Sequence, residues 1–295
     1  MTSAAAISRP AALPRPDAAP RRVAFRTGGR RHGEITRLVS PSDIGERIKP
    51  FVFLDHAVVR PTPKPLFGIH PHSGIATVTA MLSGAIAYED TTGKKGELFS
   101  GGIEWMKAGN GVWHDGHVLP GEITRLFQLW IALEASQENS PAESQYVAPS
   151  DIQHNGPVRV ILGRYGVARS PIRAPESINY FHVRLNDGEQ WRYAPPVGHN
   201  VAWLAIDAGR LHASEPIEPG QLAVFEESDG APIELQAEGA TSFVIGSAVK
   251  HPHPLVLGYY SVHTSEATLA QGEAEIRRIG RDLAAQGRLN TARQV

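Results

Sequence analysis

The stretch that decides the fold is HPHSGIATVTAMLSG, residues 70–84. In extended backbone, residues two apart project to the same face, so the imidazoles of His70 and His72 lie side by side. After a turn at Gly74, apolar residues alternate over 75–82 as they do in one wall of a β-barrel. The stretch therefore predicts two histidines presented together at the start of a barrel strand.

A second motif, AGNGVWHDGH at 108–117, lies further along the chain. Its glycine-rich turn delivers His114 onto another strand, and pairing of the two strands would bring the three histidines together. Three neutral imidazole nitrogens can share one ion and leave coordination positions for water or substrate. A histidine pair alone is more often a surface or core feature, and only the joint pattern predicts a metal site.

The rest of the sequence predicts an all-β protein in two similar units. Its 29 glycines and 23 prolines indicate frequent turns between short strands. Near the C-terminus, apolar residues recur at helical spacing behind an N-cap at Thr264 or Ser265. We predict a disordered tail over 1–20, a metal-binding N-terminal domain over 21–135, a linker over 136–150, a C-terminal domain without metal over 151–263 and a helix over 264–290.

Composition excludes several classes of protein. The net charge is −1, which provides no field for gathering a polyanion, so direct nucleic-acid binding is disfavoured. The chain has no cysteine, which excludes disulfides, thiolate nucleophiles and cysteine-ligated metals. Apolar runs are too short to span a membrane, and we expect a cytoplasmic protein without membrane contact. Any metal must therefore be bound by histidines and carboxylates.

Four segments together resemble the pirin family of the cupin superfamily. They are PFVFLDH at 50–56, HPHSGIATVTAMLSG at 70–84, WMKAGNGVWH at 105–114 and LFQLWIAL at 126–133. The resemblance implies a bicupin of two stacked jelly-roll β-barrels with a C-terminal helix, and a metal ion in the N-terminal barrel only.

Carried over to this sequence, the resemblance implies His70, His72 and His114 as ligands, with a glutamate two places after the last histidine. That place is occupied by Gly116. The carboxylate of the first cupin motif is replaced by Ala76, and the arginine that pirins usually have after the histidine pair is replaced by Ser73.

Other residues are candidates for the same site. His117 is a replacement ligand, although in a regular strand it points away from His114 and reaches the ion only across a bulge or turn at Gly116. Asp115 and Glu122 are weaker candidates. His56 is expected in the second shell or the pocket, and the two tryptophans of the segment 105–114, Trp105 and Trp113, are expected as apolar pocket walls; core packing is the alternative for all three.

Two functions follow from the resemblance. The first is a mononuclear metal-dependent dioxygenase of the quercetin 2,3-dioxygenase type, acting on a small aromatic substrate. The second is a non-catalytic, iron-dependent regulator that acts through a protein partner. The resemblance favours one divalent ion, Fe(II), while histidine ligands also accept Mn, Ni, Cu or Zn. A degenerate cupin whose metal is only structural, or that binds none, is a third interpretation.

Overall fold

The computed structural model describes residues 18–61 and 68–289. Residues 1–17 of the predicted disordered tail over 1–20 lie outside the described residues. The chain is mostly β-strand, as predicted, with a long helix near its C-terminal end.

The described strands of the first half of the chain, and the short helix α1 among them, have the following bounds: β1 (Val23–Thr27), β2 (Arg30–His32), β3 (Ile35–Val39), α1 (Ile44–Ile48), β4 (Phe51–Val59), β5 (His70–His72), β6 (Ile75–Ser83), β7 (Ala85–Asp90), β8 (Lys95–Phe99), β9 (Ile103–Lys107), β10 (Val112–Val118), β11 (Thr124–Ala132) and β12 (Glu143–Val147). Those of the second half, with the final helix α2, are β13 (His154–Asn155), β14 (Val158–Leu162), β15 (Arg164–Tyr165), β16 (Ala168–Arg169), β17 (Ile178–Leu185), β18 (Gln190–Tyr193), β19 (Val201–His212), β20 (Pro216–Ile217), β21 (Leu222–Phe225), β22 (Ile233–Ala248), β23 (Val256–Gly258), β24 (Ser261–His263) and α2 (Glu266–Ala285).

Two antiparallel sheets form the first barrel. A seven-stranded sheet runs in the order β12-β9-β6-β11-β4-β3-β2, and a four-stranded sheet runs β5-β10-β7-β8. Residues of both sheets line one cavity between them. The second barrel is built on a nine-stranded sheet with the main order β1-β21-β19-β22-β17-β14-β13.

Strand pairing crosses the predicted domain boundaries in three places. β1 was expected in the N-terminal domain, yet it pairs with β21 of the second barrel. β12 falls in the predicted linker, yet it forms the edge of the first barrel by pairing with β9. The hairpin β23–β24 returns to the first barrel, where Ser261 bridges to Ser73. The pairings of β1 and of the hairpin β23–β24 join the two halves of the described chain.

The outer face of the seven-stranded sheet packs against the second barrel. Alternate residues such as Trp105 and Phe127 share one buried cluster with Tyr180 and Trp203 of the second half. Since side chains alternate along a strand, their sequence neighbours face the cavity of the first barrel instead. One face of the sheet therefore forms the interface with the second barrel, and the other face lines the cavity of the first barrel.

The helix α2 docks on the first barrel, where it contacts β10 and the hairpin β23–β24. Ser265 caps it, as predicted, by accepting a hydrogen bond from the backbone N–H of Thr268 at 3.2 Å. Two of its residues, Gly272 and Gly280, are buried against Ser73 and Trp113. A Cβ at Gly272 would lie 2.5 Å from the Ser73 Oγ, so the close approach of helix and barrel requires glycine there.

Candidate metal centre

Three histidine side chains meet inside the first barrel. His70 and His72 lie on β5, and the antiparallel register places His114 of β10 directly opposite His70. The Nε2 of His114 lies 3.0 Å from the Nε2 of His70 and 3.1 Å from the Nε2 of His72. We call this group the histidine triad.

The rings are held so that these nitrogens face one another. The Nδ1 of His70 donates to the carbonyl of Gly68 at 2.8 Å, and the Nδ1 of His72 donates to the carbonyl of Tyr260 at 3.0 Å. A ring that donates from Nδ1 and is neutral carries a lone pair on Nε2. Burial, and then the neighbouring His114, lower the pKa of His70 to about 3. Burial and the adjacent imidazoles lower the pKa of His72 well below its ordinary value.

This donor set fits a divalent metal ion. One nitrogen of each triad residue lies within 4.8 Å of the others. Metal-bound histidines commonly donate their second nitrogen to a carbonyl or a carboxylate, as His70 and His72 do here. The triad is therefore arranged as a set of metal ligands with two of its rings already fixed in the required tautomer.

His117 does not join the triad. β10 pairs with β7 without a register shift from His114 to Val118, so the strand has no bulge at Gly116. The side chain of His117 consequently points outward, where it is 51% exposed and its Nε2 lies 3.5 Å from an Asp115 oxygen. Gly116 itself lines the cavity. The structure thus corrects the expectation that His117 fills the place of the missing glutamate.

The three residues expected in the second shell or the pocket follow the core-packing alternative instead. The Nε2 of His56 lies 2.9 Å from Asp207 of the second barrel, and its ring stacks on Phe127. Trp105 belongs to the core between the barrels. The indole of Trp113 donates to the carbonyl of Ile276 in α2 at 2.8 Å. Each of the three packs in an interface. The cavity is lined instead by their neighbours in the sequence, which are Asp55, Glu104 and His114.

The triad opens onto a cavity of about 330 Å³. Phe53 and Trp130 stack in its wall with ring centroids 4.0 Å apart and planes 9° from parallel. Tyr260 stands 5.4 Å from the ring of His70. Sequence reasoning missed these aromatic walls, although FVFLDH and LFQLWIAL are strand segments in which every second residue faces inward. The volume lies in the range of small-molecule sites.

A row of polar side chains crosses the sheet beneath the cavity. Direct cross-strand partners on β3, β4, β11, β6 and β9 form it, and they are Arg37, Asp55, Gln128, Thr79 and Glu104. All five line the cavity, and we call them the polar row. Arg37 donates to Asp55 from two nitrogens, at 2.5 and 3.0 Å. Thr79 lies within hydrogen-bonding distance of both Gln128, at 2.8 Å, and Glu104.

These observations define a class of protein. Two β-barrels, a histidine triad in the first barrel and a ligand-sized cavity beside it are the features of a bicupin with a metal site in its first barrel. The pirin family model matches residues 33–131. A protein of Arabidopsis thaliana with the name "Putative pirin-like protein" is 30% identical over 209 residues, which cover 69% of this chain and 70% of the relative. The chain belongs to the pirin family.

Further relatives and structures are similar. A protein of Pseudomonas aeruginosa with the name "Putative quercetin 2,3-dioxygenase" is 28% identical over 240 residues, 76% of this chain and 83% of its own. The crystal structure of quercetin 2,3-dioxygenase from Acinetobacter baumannii shares the fold with a TM-score of 0.79 and 24% identity, over 88% of this chain and 98% of that one. A bacterial pirin of Escherichia coli in complex with nickel(II) has a TM-score of 0.57 and 18% identity, over 75% and 94% of the two chains.

Together, the family relationship and the triad imply a divalent metal ion. The described residues contain no helix that is long and apolar enough to cross a membrane.

Proposed function

We propose that this chain is a mononuclear metal-dependent dioxygenase that acts on a small planar aromatic substrate of the quercetin type. The observation that carries the proposal is the opening of the triad onto a cavity with both aromatic and polar walls. The name of the Pseudomonas relative supports the same activity.

The triad would hold the ion through the Nε2 atoms of His70, His72 and His114. A bound divalent ion supplies a Lewis acid for a hydroxyl oxygen and positions at which substrate and dioxygen can meet. We propose Fe(II) as that ion on the basis of family resemblance, and imidazole ligands also accept Mn, Ni, Cu and Zn.

The chain's own residues orient the substrate. Phe53, Trp130 and Tyr260 offer ring faces and edges to an aromatic molecule, and such pairs contribute about 0.5–1.5 kcal/mol each beyond buried area. The polar row offers carboxylate, amide and hydroxyl groups to the substrate's own hydroxyls. Walls of these two kinds suit a flat molecule with several hydroxyl groups better than a hydrocarbon.

One observation favours a second function. Gly116 places no side chain in the cavity where relatives are expected to have a glutamate, so a substrate proton has no acceptor at that position. A non-catalytic, iron-dependent regulator that acts through a protein partner needs no such acceptor. In this alternative the protein binds the metal ion at the triad but does not catalyse a reaction.

Two measurements on the purified protein test the proposal. Metal content is measured for the wild type, for His70→Ala and for His253→Ala, whose exposed histidine is the matched control. Oxygen consumption with quercetin is then compared with that of the free ion. We expect one bound ion in the wild type and the control, loss of the ion in His70→Ala, and quercetin-dependent oxygen uptake by the loaded protein. Bound metal without uptake above the free ion would refute the enzyme and favour the regulator.

A further inference from the structure

Glu104 places a buried carboxylate beside the triad. It lies on β9 at the end of the polar row, is 4% exposed and lines the cavity. Its Oε1 lies 3.7 Å from the Nδ1 of His114. This nitrogen is on the opposite side of the ring from the Nε2 that faces His70 and His72. Glu104 therefore lies beside the Nδ1 of His114, away from the three Nε2 atoms that converge in the triad, and it is not one of the expected ligands.

The carboxylate is held from two sides. The hydroxyl of Thr79, its cross-strand partner on β6, donates to Oε2. The hydroxyl of Tyr146, its cross-strand partner on β12, lies 3.2 Å from Oε1 and 3.0 Å from an oxygen of Asp90. Burial, and then the carboxylates of Glu104 and Asp90, raise the pKa of Tyr146 well above its ordinary value, so the phenol remains a neutral donor.

The tyrosine is itself fixed in place. Its ring stacks on Tyr88 with centroids 3.5 Å apart and planes 6° from parallel. Asp90 is fixed by its own turn, where its Oδ1 accepts from the backbone N–H of Thr92 at 2.8 Å. The position of Glu104 is thus determined by neighbours on both adjoining strands and is independent of any ligand in the cavity.

His114 differs from the other two triad histidines in the group that lies next to its Nδ1. His70 and His72 face neutral backbone carbonyls, whereas His114 faces a carboxylate. At 3.7 Å the contact between Glu104 and His114 is electrostatic rather than a hydrogen bond, and a carboxylate at this distance stabilises the positive charge of an imidazole that binds a metal ion. Three neutral imidazoles alone leave the charge of a divalent ion uncompensated, and Gly116 contributes nothing.

We propose that Glu104 is the charge-compensating carboxylate of this metal centre: from its place beside the Nδ1 of His114 it supplies the negative charge that the site lacks at Gly116. The inference rests on the proposed metal site, since it assigns a role in holding the same ion. It does not require that the protein turn over a substrate.

Co(II) affinity, measured by competition with a chelator, tests the inference without any substrate. We expect Glu104→Gln to bind Co(II) about 10–100-fold more weakly than the wild type and to shift its visible absorption. The matched control is Glu97→Gln, which neutralises an exposed glutamate on β8 and should bind like the wild type. Tyr146→Phe removes one hydroxyl that holds the carboxylate and should bind with intermediate affinity, and it decides the question alone if Glu104→Gln does not fold.

A rescue variant separates charge from packing. A Cβ at position 116 would meet no atom nearer than the Ala87 oxygen at 4.0 Å, and Gly116 borders the cavity, so a side chain there has open space beside it. We expect Gly116→Glu to restore Co(II) affinity to Glu104→Gln. Unchanged affinity in Glu104→Gln and Tyr146→Phe would overturn the inference. Equal affinity of the wild type and His70→Ala would instead refute the metal site itself, and a lack of oxygen uptake would refute only the enzyme.

Discussion

Replacement of Gly272 by alanine should destabilise the protein even though alanine is the better helix former. In an exposed helix interior, the change from glycine to alanine stabilises by roughly 1 kcal/mol. Here the new Cβ would lie 2.5 Å from the Oγ of Ser73 and 2.8 Å from the Nε2 of His263. Ser73 cannot rotate away freely, because its hydroxyl is bonded to Ser261 at 2.8 Å and to His263 at 3.0 Å. Overpacking of this kind costs about 1–3 kcal/mol, and loss of a hydrogen bond about 1 kcal/mol more.

The net expectation is a loss of about 1–3 kcal/mol in the free energy of unfolding, because the propensity gain and the lost hydrogen bond roughly cancel. Urea denaturation followed by tryptophan fluorescence measures it, since Trp113 packs against the same helix. The control is Gln271→Ala, an exposed position one residue away, which should change the free energy by less than about 0.5 kcal/mol. A Gly272→Ala protein that is more stable than the wild type would show that the helix does not dock as described.

Three other substitutions probe the site and the interface between the barrels. His117→Ala should change Co(II) affinity by less than about twofold in chelator competition, because the side chain is exposed and points away from the triad; a tenfold loss would contradict this placement. Gln128→Leu should weaken quercetin binding roughly 2–10-fold in a fluorescence titration, which is the effect of about one hydrogen bond. Binding of 3-hydroxyflavone, which has fewer hydroxyl groups, should be weakened less. Equal losses for both ligands would argue against recognition of hydroxyls by the polar row. Asp207→Ala removes the acceptor for Arg125 and His56 and should lower the free energy of unfolding by about 1–3 kcal/mol in urea denaturation; no change would mean that this buried contact does not hold the barrels together.

The shared face of the first two triad histidines could be predicted from the sequence because it depends on a local rule, whereas the approach of His114 depends on strand pairing. Residues two apart on a strand share a face, and this fixes His70 relative to His72. The same rule predicts that the side chain of His117 points to the opposite face from that of His114 on a regular strand, and the strand is regular through Gly116. The cap at Ser265 was equally local.

The walls of the site could not be predicted in the same way. Alternation indicates that Glu104 and Trp105 face opposite sides of β9, but it does not say which side holds the cavity and which the second barrel. That choice depends on packing between distant segments, such as the cluster that joins Trp105 to Trp203. The pairing of β1 with β21 likewise joins residues that are remote in sequence and carry no local signal.

The central claim is that the three triad histidines bind one metal ion. The most direct measurement is an anomalous-difference map from crystals of the protein loaded with Zn(II). We predict one strong peak at about 2.0–2.1 Å from the Nε2 atoms of His70, His72 and His114. A peak beside His117 and Asp115, or no peak at the triad in fully loaded crystals, would contradict it.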